Sequence, residues 1–185
     1  MLYIISGVAK SGKTYLSKYI IDQYHIPYFS TDYLMMSLSL SGKETGVDHT
    51  LDDEIVATSL EPYLYPMLRA MVENGIDYLI EGVHFNPSFA SKLLHDFKDK
   101  IQFIYLGYSE VSTEEKTQEL RNHINDFENP WFSHLSSKEM IDLIDYLKNV
   151  SRKIKNQATS LHIPYVEVYN IVSQKEEIIR LLSLC

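Results

Sequence analysis

The chain has 185 residues, of which 45% are hydrophobic and 23% are charged, and its formal net charge is −8. This composition excludes a disordered chain, and the acidic balance argues against a general nucleic-acid binder, which needs Lys and Arg to neutralise phosphates. The lack of an uncharged apolar run of ~18 residues, of a signal-peptide pattern and of a second cysteine besides Cys185 predicts a cytoplasmic protein without membrane spans or an intramolecular disulfide.

Short apolar runs rich in β-forming residues predict five strands, at 2–6, 26–30, 76–81, 101–106 and 163–168. Helical periodicity fills the intervals, first over 13–23 and then from a cap at Thr50, in a helix that Pro62 and Pro66 should break or kink. Capping-box spacings at Ser112 and Ser136 predict two later helices, the second long and amphipathic. Strands alternating with helices predict one α/β domain over residues 1–185, with a parallel sheet covered on both faces.

The strongest chemical signal is the run G-V-A-K-S-G-K-T at residues 7–14, which satisfies the phosphate-loop pattern G-x-x-x-x-G-K-[ST]. Glycines allow a tight loop whose N–H groups face a phosphate, and the following helix adds its positive N-terminal dipole. Lys13 should bind the β- and γ-phosphates, and the Thr14 hydroxyl is placed for Mg²⁺. The candidate nucleotide-binding residues of the loop are Gly7, Ala9, Lys10, Ser11, Gly12, Lys13 and Thr14.

Acidic residues follow two of the predicted strands, at the sheet edge where open α/β folds bind ligands. Asp32, in F-S-T-D, could accept the proton of an acceptor hydroxyl or hold a Mg²⁺-bound water; otherwise it caps a helix. Glu81, in Y-L-I-E-G, could orient Mg²⁺ through water or bind substrate, or it merely ends the strand. His84 could hydrogen-bond substrate or be a solvated loop histidine. The spacing of the remaining histidines does not predict a zinc site.

Three arginines are candidate site residues, two of them for stabilising charge during phosphoryl transfer. Arg121 lies in a polar segment that could be a mobile lid, although it also suits an exposed helix face. Arg152, on the long helix, could close on the nucleotide, with a solvated basic face as the rival interpretation. Arg69 could bind an acidic acceptor. The run Asn129-Pro130-Trp131-Phe132 ends the lid segment, where its aromatic pair could close over a base or pack as a hinge.

The motifs G-V-A-K-S-G-K-T, F-S-T-D and I-E-G-V-H together resemble the small P-loop kinases, such as shikimate, gluconate and nucleoside-type kinases. The combination of S-T-D with E-G-V-H is most similar to the 2-phosphoglycerate kinase-like branch. The resemblance implies a three-layer α/β/α P-loop NTPase fold with strand order 2-3-1-4-5 and a helical lid at about 109–136. D-x-x-G, N-K-x-D and L-S-G-G-Q, which mark GTPases and ABC transporter ATPases, are absent from the sequence.

These observations predict an ATP- and Mg²⁺-dependent kinase that phosphorylates a hydroxyl of a small metabolite. The predicted catalytic groups are Lys13, Asp32 and Arg121, and the acceptor-binding groups are Asp32, Arg69, Glu81 and His84. Two alternatives stay open at this point: a nucleotide-dependent switch that controls a partner protein, and a polynucleotide or toxin-type kinase. The sequence does not determine the acceptor, the choice between ATP and GTP, or the oligomeric state.

Overall fold

The computed structural model describes residues 1–122, 124 and 132–184, and in them five parallel strands form a single sheet. The spatial order β2-β3-β1-β4-β5 confirms the predicted topology. The register places Glu81 beside both Ile5 and Ser30, so β2 and β3 end at one level and β1 extends two residues further, to Gly7. The strand bounds are β1 Leu2–Gly7, β2 Tyr28–Ser30, β3 Tyr78–Glu81, β4 Ile101–Gly107 and β5 Tyr165–Glu167.

Alternate residues of each buried strand point to opposite sides of the sheet, so both faces carry apolar side chains. Helices cover both of these faces. On one face Leu2 and Ile4 pack against α2, α3, α4 and α6, and on the other Ile5 packs against α1 and α7. This is the three-layer α/β/α arrangement that the sequence predicts. The helix bounds are α1 Lys13–Tyr24, α2 Thr31–Ser39, α3 Asp53–Asn74, α4 Pro87–Phe97, α5 Thr113–Asn122, α6 Ser137–Ser160 and α7 Ile171–Leu181, with a 3₁₀ turn at Lys98–Lys100.

Helix α3 differs from its prediction at its start and in its middle. It begins at Asp53 rather than near residue 51, and the Thr50 hydroxyl bonds Asp48 instead of capping it. It also continues through Pro62 and Pro66 as one helix of 22 residues. The physical reason is the apolar face of α3: Leu60, Leu64 and Leu68 are fully buried, and tertiary packing outweighs the lost backbone donors.

The two predicted capping boxes are confirmed at the starts of α5 and α6. Ser112 and Glu115 exchange side-chain-to-backbone hydrogen bonds of 3.2 and 3.1 Å, and Ser136 and Glu139 do the same at 2.8 and 3.3 Å. Helix α5 is therefore the ordered beginning of the predicted lid segment and packs against α6. No helix in the described part of the chain is both long and apolar enough to cross a membrane.

Candidate active site

The loop between β1 and α1 is tightly wound against β4 and α7. Gly7 has φ +121°, and a Cβ added there would lie 2.0 Å from the Leu106 carbonyl oxygen. Gly12 has φ +91°, and a Cβ there would lie 2.8 Å from Ile171 Cγ1. Both positions combine a left-handed backbone with close neighbours, which only glycine tolerates. The glycines of the motif are thus explained by the backbone path itself.

Lys13, the first residue of α1, is 5% exposed and lies at the centre of the site. Its Nζ donates a hydrogen bond of 2.8 Å to the Val8 carbonyl oxygen across the loop. Burial lowers the pKa of Lys13, while the carboxylates of Glu81 and Asp32 oppose that shift. The ammonium therefore lies inside the loop, within electrostatic range of these acids, which suits a cation that binds phosphate oxygens.

Lys10 places a second cation at the same loop. Its backbone is left-handed, with φ +62°, and its Nζ lies 4.5 Å from the centroid of the Phe132 ring. The pKa of Lys10 falls to about 8, chiefly because of partial burial and also because of repulsion by Lys13, whereas Asp32 opposes the fall. A phosphate bound beside both lysines would relieve this repulsion.

Two hydroxyl groups of the loop fit a phosphate and its metal. Ser11 Oγ is buried and has no hydrogen-bond partner among the described residues, a cost that a phosphate oxygen would remove. Thr14 is exposed in the first turn of α1. Within the described ranges no group of three or more His, Cys, Asp or Glu residues could enclose a metal. Mg²⁺ keeps several waters and binds phosphate plus one or two protein ligands, a requirement that the Thr14 hydroxyl can help to meet.

Asp32 and His84 meet at the ends of β2 and β3. Ser30 caps α2 by accepting a hydrogen bond of 3.3 Å from the Asp32 backbone N–H, which holds Asp32 in the first turn. Asp32 Oδ1 lies 3.7 Å from His84 Nδ1, which in turn lies 2.7 Å from Thr31 Oγ1. The His84 side chain is buried, whereas that of Asp32 is 61% exposed. Burial lowers the pKa of His84, and Asp32 opposes this.

Glu81 ends β3 with its carboxylate largely buried beside β2. Its Oε2 accepts a hydrogen bond of 2.8 Å from the Tyr28 hydroxyl. Burial and the neighbouring Glu81 charge raise the pKa of Tyr28, so this phenol stays protonated and keeps donating. Because Glu81 also acts electrostatically on Lys13, the acid that the sequence analysis selected faces the phosphate loop.

Sequence reasoning missed Asp53, the first residue of α3. Asp53 interacts electrostatically with Lys13, His84 and Asp32, so it belongs to the same cluster. The surrounding protein raises its pKa by withdrawing the carboxyl from water, and His84 and Lys13 oppose the rise. The D-D-E run at 52–54 was a possible signal, because it marks acids at a helix start.

Sequence reasoning also missed a contact between the phosphate loop and the predicted lid. The Tyr108 hydroxyl, just past β4, donates a hydrogen bond of 2.9 Å to the Ala9 carbonyl oxygen. Lys116 of α5 is 2% exposed, and its Nζ lies 4.5 Å from the centroid of the Tyr108 ring and 2.8 Å from Glu119 Oε2. Tyr108 therefore connects α5 to the loop. No local sequence motif predicts this contact.

The hydrogen bonds of the candidate arginines go to partners outside this cluster. Arg121 donates to Ser137 Oγ at 3.1 Å, and Arg152 donates to Asn149 Oδ1 at 2.8 Å, both at the surface. Arg69 bonds Glu73 at 2.8 Å and lies sixteen residues along α3 from Asp53, about 24 Å at the rise of an α-helix. The fold thus brings Lys13, Asp32, Glu81 and His84 together but not Arg69.

The aromatic pair predicted at the end of the lid is described only in part. Asn129, Pro130 and Trp131 lie outside the described residues. Phe132 is buried and packs with Leu120, Met140 and Ile144, between α5 and α6. Because the same ring lies under Lys10, Phe132 contacts both the lid segment and the phosphate loop.

Comparison with solved structures identifies the same fold in metabolic kinases. A gluconokinase from Sinorhizobium meliloti 1021 matches with a TM-score of 0.62, at 14% identity, over 98% of this chain and 91% of its own. A shikimate kinase from Bacteroides thetaiotaomicron matches with a TM-score of 0.60, at 16% identity, over 99% and 98%. No family model and no curated protein matches the chain. At these identities the likeness establishes the fold, including its sheet order.

Proposed function

We propose that this protein is an ATP- and Mg²⁺-dependent phosphotransferase that phosphorylates a hydroxyl group of a small molecule. The observation that carries the proposal is the position of Lys13, buried in a glycine-bounded loop and facing the acids of two neighbouring strand ends. One strand-end acid suffices for the Mg²⁺ of a P-loop NTPase, so the second and exposed acid, Asp32, is available to an acceptor. The kinase names of the gluconokinase and shikimate kinase structures that share the fold support the same reaction class.

In the proposed reaction the loop holds the nucleotide and the acids hold the acceptor. Backbone N–H groups of the loop, Lys13 and Lys10 bind phosphate oxygens, and Ser11 Oγ donates to one of them. Thr14, with Glu81 acting through water, would hold Mg²⁺, which neutralises phosphate charge when bound. Asp32, whose carboxylate is exposed at the end of β2, accepts the proton of the attacking hydroxyl.

His84 is a positioning residue in this proposal. The Nδ1 atom of its buried ring lies near both Thr31 Oγ1 and Asp32 Oδ1, so it helps to orient the base for the acceptor. Arg121 and Arg152 are proposed to stabilise transferred charge and nucleotide from the segment at 109–136 and from α6. That role requires each guanidinium to exchange its present partner, Ser137 or Asn149, for phosphate.

The test is transfer from γ-labelled ATP to pooled hydroxyl metabolites in the presence of Mg²⁺. Lys13→Ala should weaken ATP binding at least about tenfold, the size of one lost charge-assisted hydrogen bond, and should abolish transfer. Lys43→Ala, which removes an exposed lysine elsewhere, is the matched control. Unchanged ATP affinity in Lys13→Ala would remove the basis of the proposal.

A 2-phosphoglycerate kinase-like acceptor is the narrower prediction of the sequence motifs. It is tested by including 2-phosphoglycerate in the acceptor panel. The prediction relies on cations for the existing phosphate of that substrate, and Arg69 does not lie with the site residues.

A further inference from the structure

A cavity of about 480 Å³ begins at the phosphate loop and runs between α3 and α6. Gly7 and Val8 form its inner end, and the loop between β3 and α4 completes its wall with Phe85 and Asn86. Asp53 lines this cavity and also belongs to the cluster around Lys13 and His84. The cavity therefore adjoins the groups proposed for catalysis, on the side away from α1 and α7, and its volume suits a small metabolite.

The charged groups that line this cavity are mostly carboxylates. Helix α3 contributes Asp53, Glu54 and Glu61, each on its cavity side. Lys153 of α6 is the one cation among the described lining residues, and its Nζ already lies 2.5 Å from Glu54 Oε2. Lys92, the nearest cation to Glu61 outside the cavity, lies with its Nζ 4.5 Å from the centroid of the Tyr65 ring. The wall that an acceptor meets is therefore net negative.

Arginine guanidinium groups bind carboxylates and phosphates through paired hydrogen bonds. The arginines of this protein lie outside the cavity lining. Arg69, Arg121 and Arg152 bond Glu73, Ser137 and Asn149, and Arg180 lies in the last turn of α7 on the opposite face of the sheet. No arginine lines the cavity within the described ranges. An anionic acceptor would therefore meet like charge, and Lys153, the one cation among the described lining residues, is already paired with Glu54.

An aromatic group that does not line the cavity lies near the same acids. Tyr146 of α6 is 48% exposed, and Asp52, Asp53 and Glu54 lie close enough to raise its pKa, after the larger effect of burial. A phenol ring beside carboxylates is a favourable environment for an amino group, through ion pairing and cation–π attraction. The same environment carries no charge penalty for a polyol, whose hydroxyls can donate hydrogen bonds to the carboxylates.

We propose that this cavity binds the acceptor, and that the acceptor is a hydroxyl compound that is uncharged or carries an amino group, not a hydroxy acid or a phosphate ester. The proposal rests on the proposed function and adds the substrate class to it. In the reaction the acceptor oxygen bonds to the γ-phosphorus, and the bond from that phosphorus to the β–γ bridging oxygen breaks. ADP leaves and Asp32 takes the hydroxyl proton, so atoms and charge balance.

The experiment offers the full chain γ-labelled ATP and Mg²⁺ with three separate pools of acceptors. One pool holds amino alcohols and amino sugars, the second neutral sugars and polyols, and the third hydroxy acids and phosphorylated sugars, including shikimate, gluconate and 2-phosphoglycerate. We expect transfer to the first or second pool, at least tenfold faster than to the third. Faster transfer to the third pool would overturn the substrate class and leave the kinase assignment intact.

ATP binding, measured in parallel by calorimetry, separates the two failures. Transfer to none of the pools by a protein that binds ATP would overturn the proposed function, and the substrate class with it. Absence of ATP binding would overturn the phosphate loop itself. A transferred phosphate in the first or second pool supports both proposals.

Charge-neutral variants test whether the carboxylates set the preference. Glu61→Gln and Asp53→Asn should each raise the ratio of transfer to the third pool over transfer to the neutral pool by about fivefold to tenfold. This ratio is measured within one preparation, so it does not depend on how much of a variant is folded. Glu73→Gln, on α3 beside Arg69, is the matched control and should leave the ratio unchanged. An unchanged ratio in both cavity variants would overturn the proposal.

Discussion

The structure brings the titration of the Lys10 ammonium close to neutral pH. Its ammonium is half-buried over the Phe132 ring and is repelled by Lys13, so its pKa falls from the usual lysine range to about 8. The charged fraction of Lys10 therefore decreases as the pH rises through this value. The effect on stability has the opposite sign. Between pH 8 and 10.5 the unfolded chain binds more protons at Lys10 than the folded chain does, so Lys10 makes the free energy of unfolding rise with pH.

We predict that ATP affinity of the wild-type protein weakens as the pH rises through about 8, by up to about tenfold as one charge-assisted contact is lost. Lys10→Arg should flatten this dependence, because a guanidinium stays protonated throughout. Calorimetric titration with ATP at pH 7, 8 and 9 measures both slopes, with Lys43→Arg as the control. Equal slopes in wild type and Lys10→Arg would contradict the role of Lys10.

Gly7 allows a second prediction at this scale, on stability. Gly7→Ala brings a Cβ onto the Leu106 carbonyl, whereas Gly42→Ala, also at positive φ, meets nothing within 4 Å. Both variants share the strain of a left-handed alanine, so Gly7→Ala should lose about 1–3 kcal/mol more in the free energy of unfolding. Urea denaturation of the two variants measures the difference, and equal losses would show that the loop relaxes.

Helix α5 is linked to the phosphate loop through contacts with Tyr108. The Tyr108 hydroxyl holds the Ala9 carbonyl, and the buried Lys116 ammonium lies over the Tyr108 ring. Since α5 begins the predicted lid, a displacement of α5 changes the packing on the residue that supports the loop. The lid assignment for 109–136 stays a prediction, but its first helix has a direct route to the nucleotide-binding residues.

Tyr108→Phe removes this connection and keeps the ring. We predict a loss of about 0.5–1.5 kcal/mol in the free energy of unfolding and, separately, weaker ATP binding, because the Ala9 carbonyl loses its donor. Tyr63→Phe is the matched control, since Tyr63 donates at 2.8 Å to the Thr45 carbonyl away from the loop. Its stability should fall comparably with ATP affinity unchanged. Thermal unfolding and calorimetry on both variants check this. Equal ATP affinities of Tyr108→Phe and Tyr63→Phe would contradict the prediction.

At one edge of the sheet, the fold brings together residues from distant parts of the sequence. The ends of β1, β2 and β3 bring together the phosphate loop, Asp32 and Glu81, and α3 adds Asp53. Several of these groups are buried charges whose environment is costly without a ligand, as the lowered pKa values of Lys13 and Lys10 indicate. Binding of a phosphate anion therefore stabilises the folded state directly.

We predict that Mg²⁺-ATP at a hundred times its Kd raises the free energy of unfolding by about 2.7 kcal/mol, which corresponds to about 5–10 °C in Tm for a chain of this length. At the same nucleotide concentration Lys13→Ala, with its ATP affinity weakened at least about tenfold, should show about half of this shift or less, while Lys43→Ala should keep it. Differential scanning calorimetry with and without nucleotide measures the shift. A full shift in Lys13→Ala would show that the nucleotide binds elsewhere.

Local features of the sequence determined the strands, the capping boxes and the phosphate loop, because each depends on residues within about ten positions of one another. The sheet order was implied only by the resemblance of the motifs to a known family, and the structure confirms it. The loop is the clearest case, because its glycines, Lys13 and Thr14 are consecutive and their backbone path follows from the pattern.

Only the tertiary structure decided which distant residues join that loop. Asp53 and Tyr108 come from 40 and 95 positions beyond Lys13, and their contacts depend on how α3 and β4 pack against β1 rather than on any local pattern. The same packing carries α3 unbroken through its two prolines and so places Arg69 far from Asp53. Side chains meet across a sheet edge only after the core has fixed the elements in space, which is why the acidic acceptor cavity was not visible in the sequence.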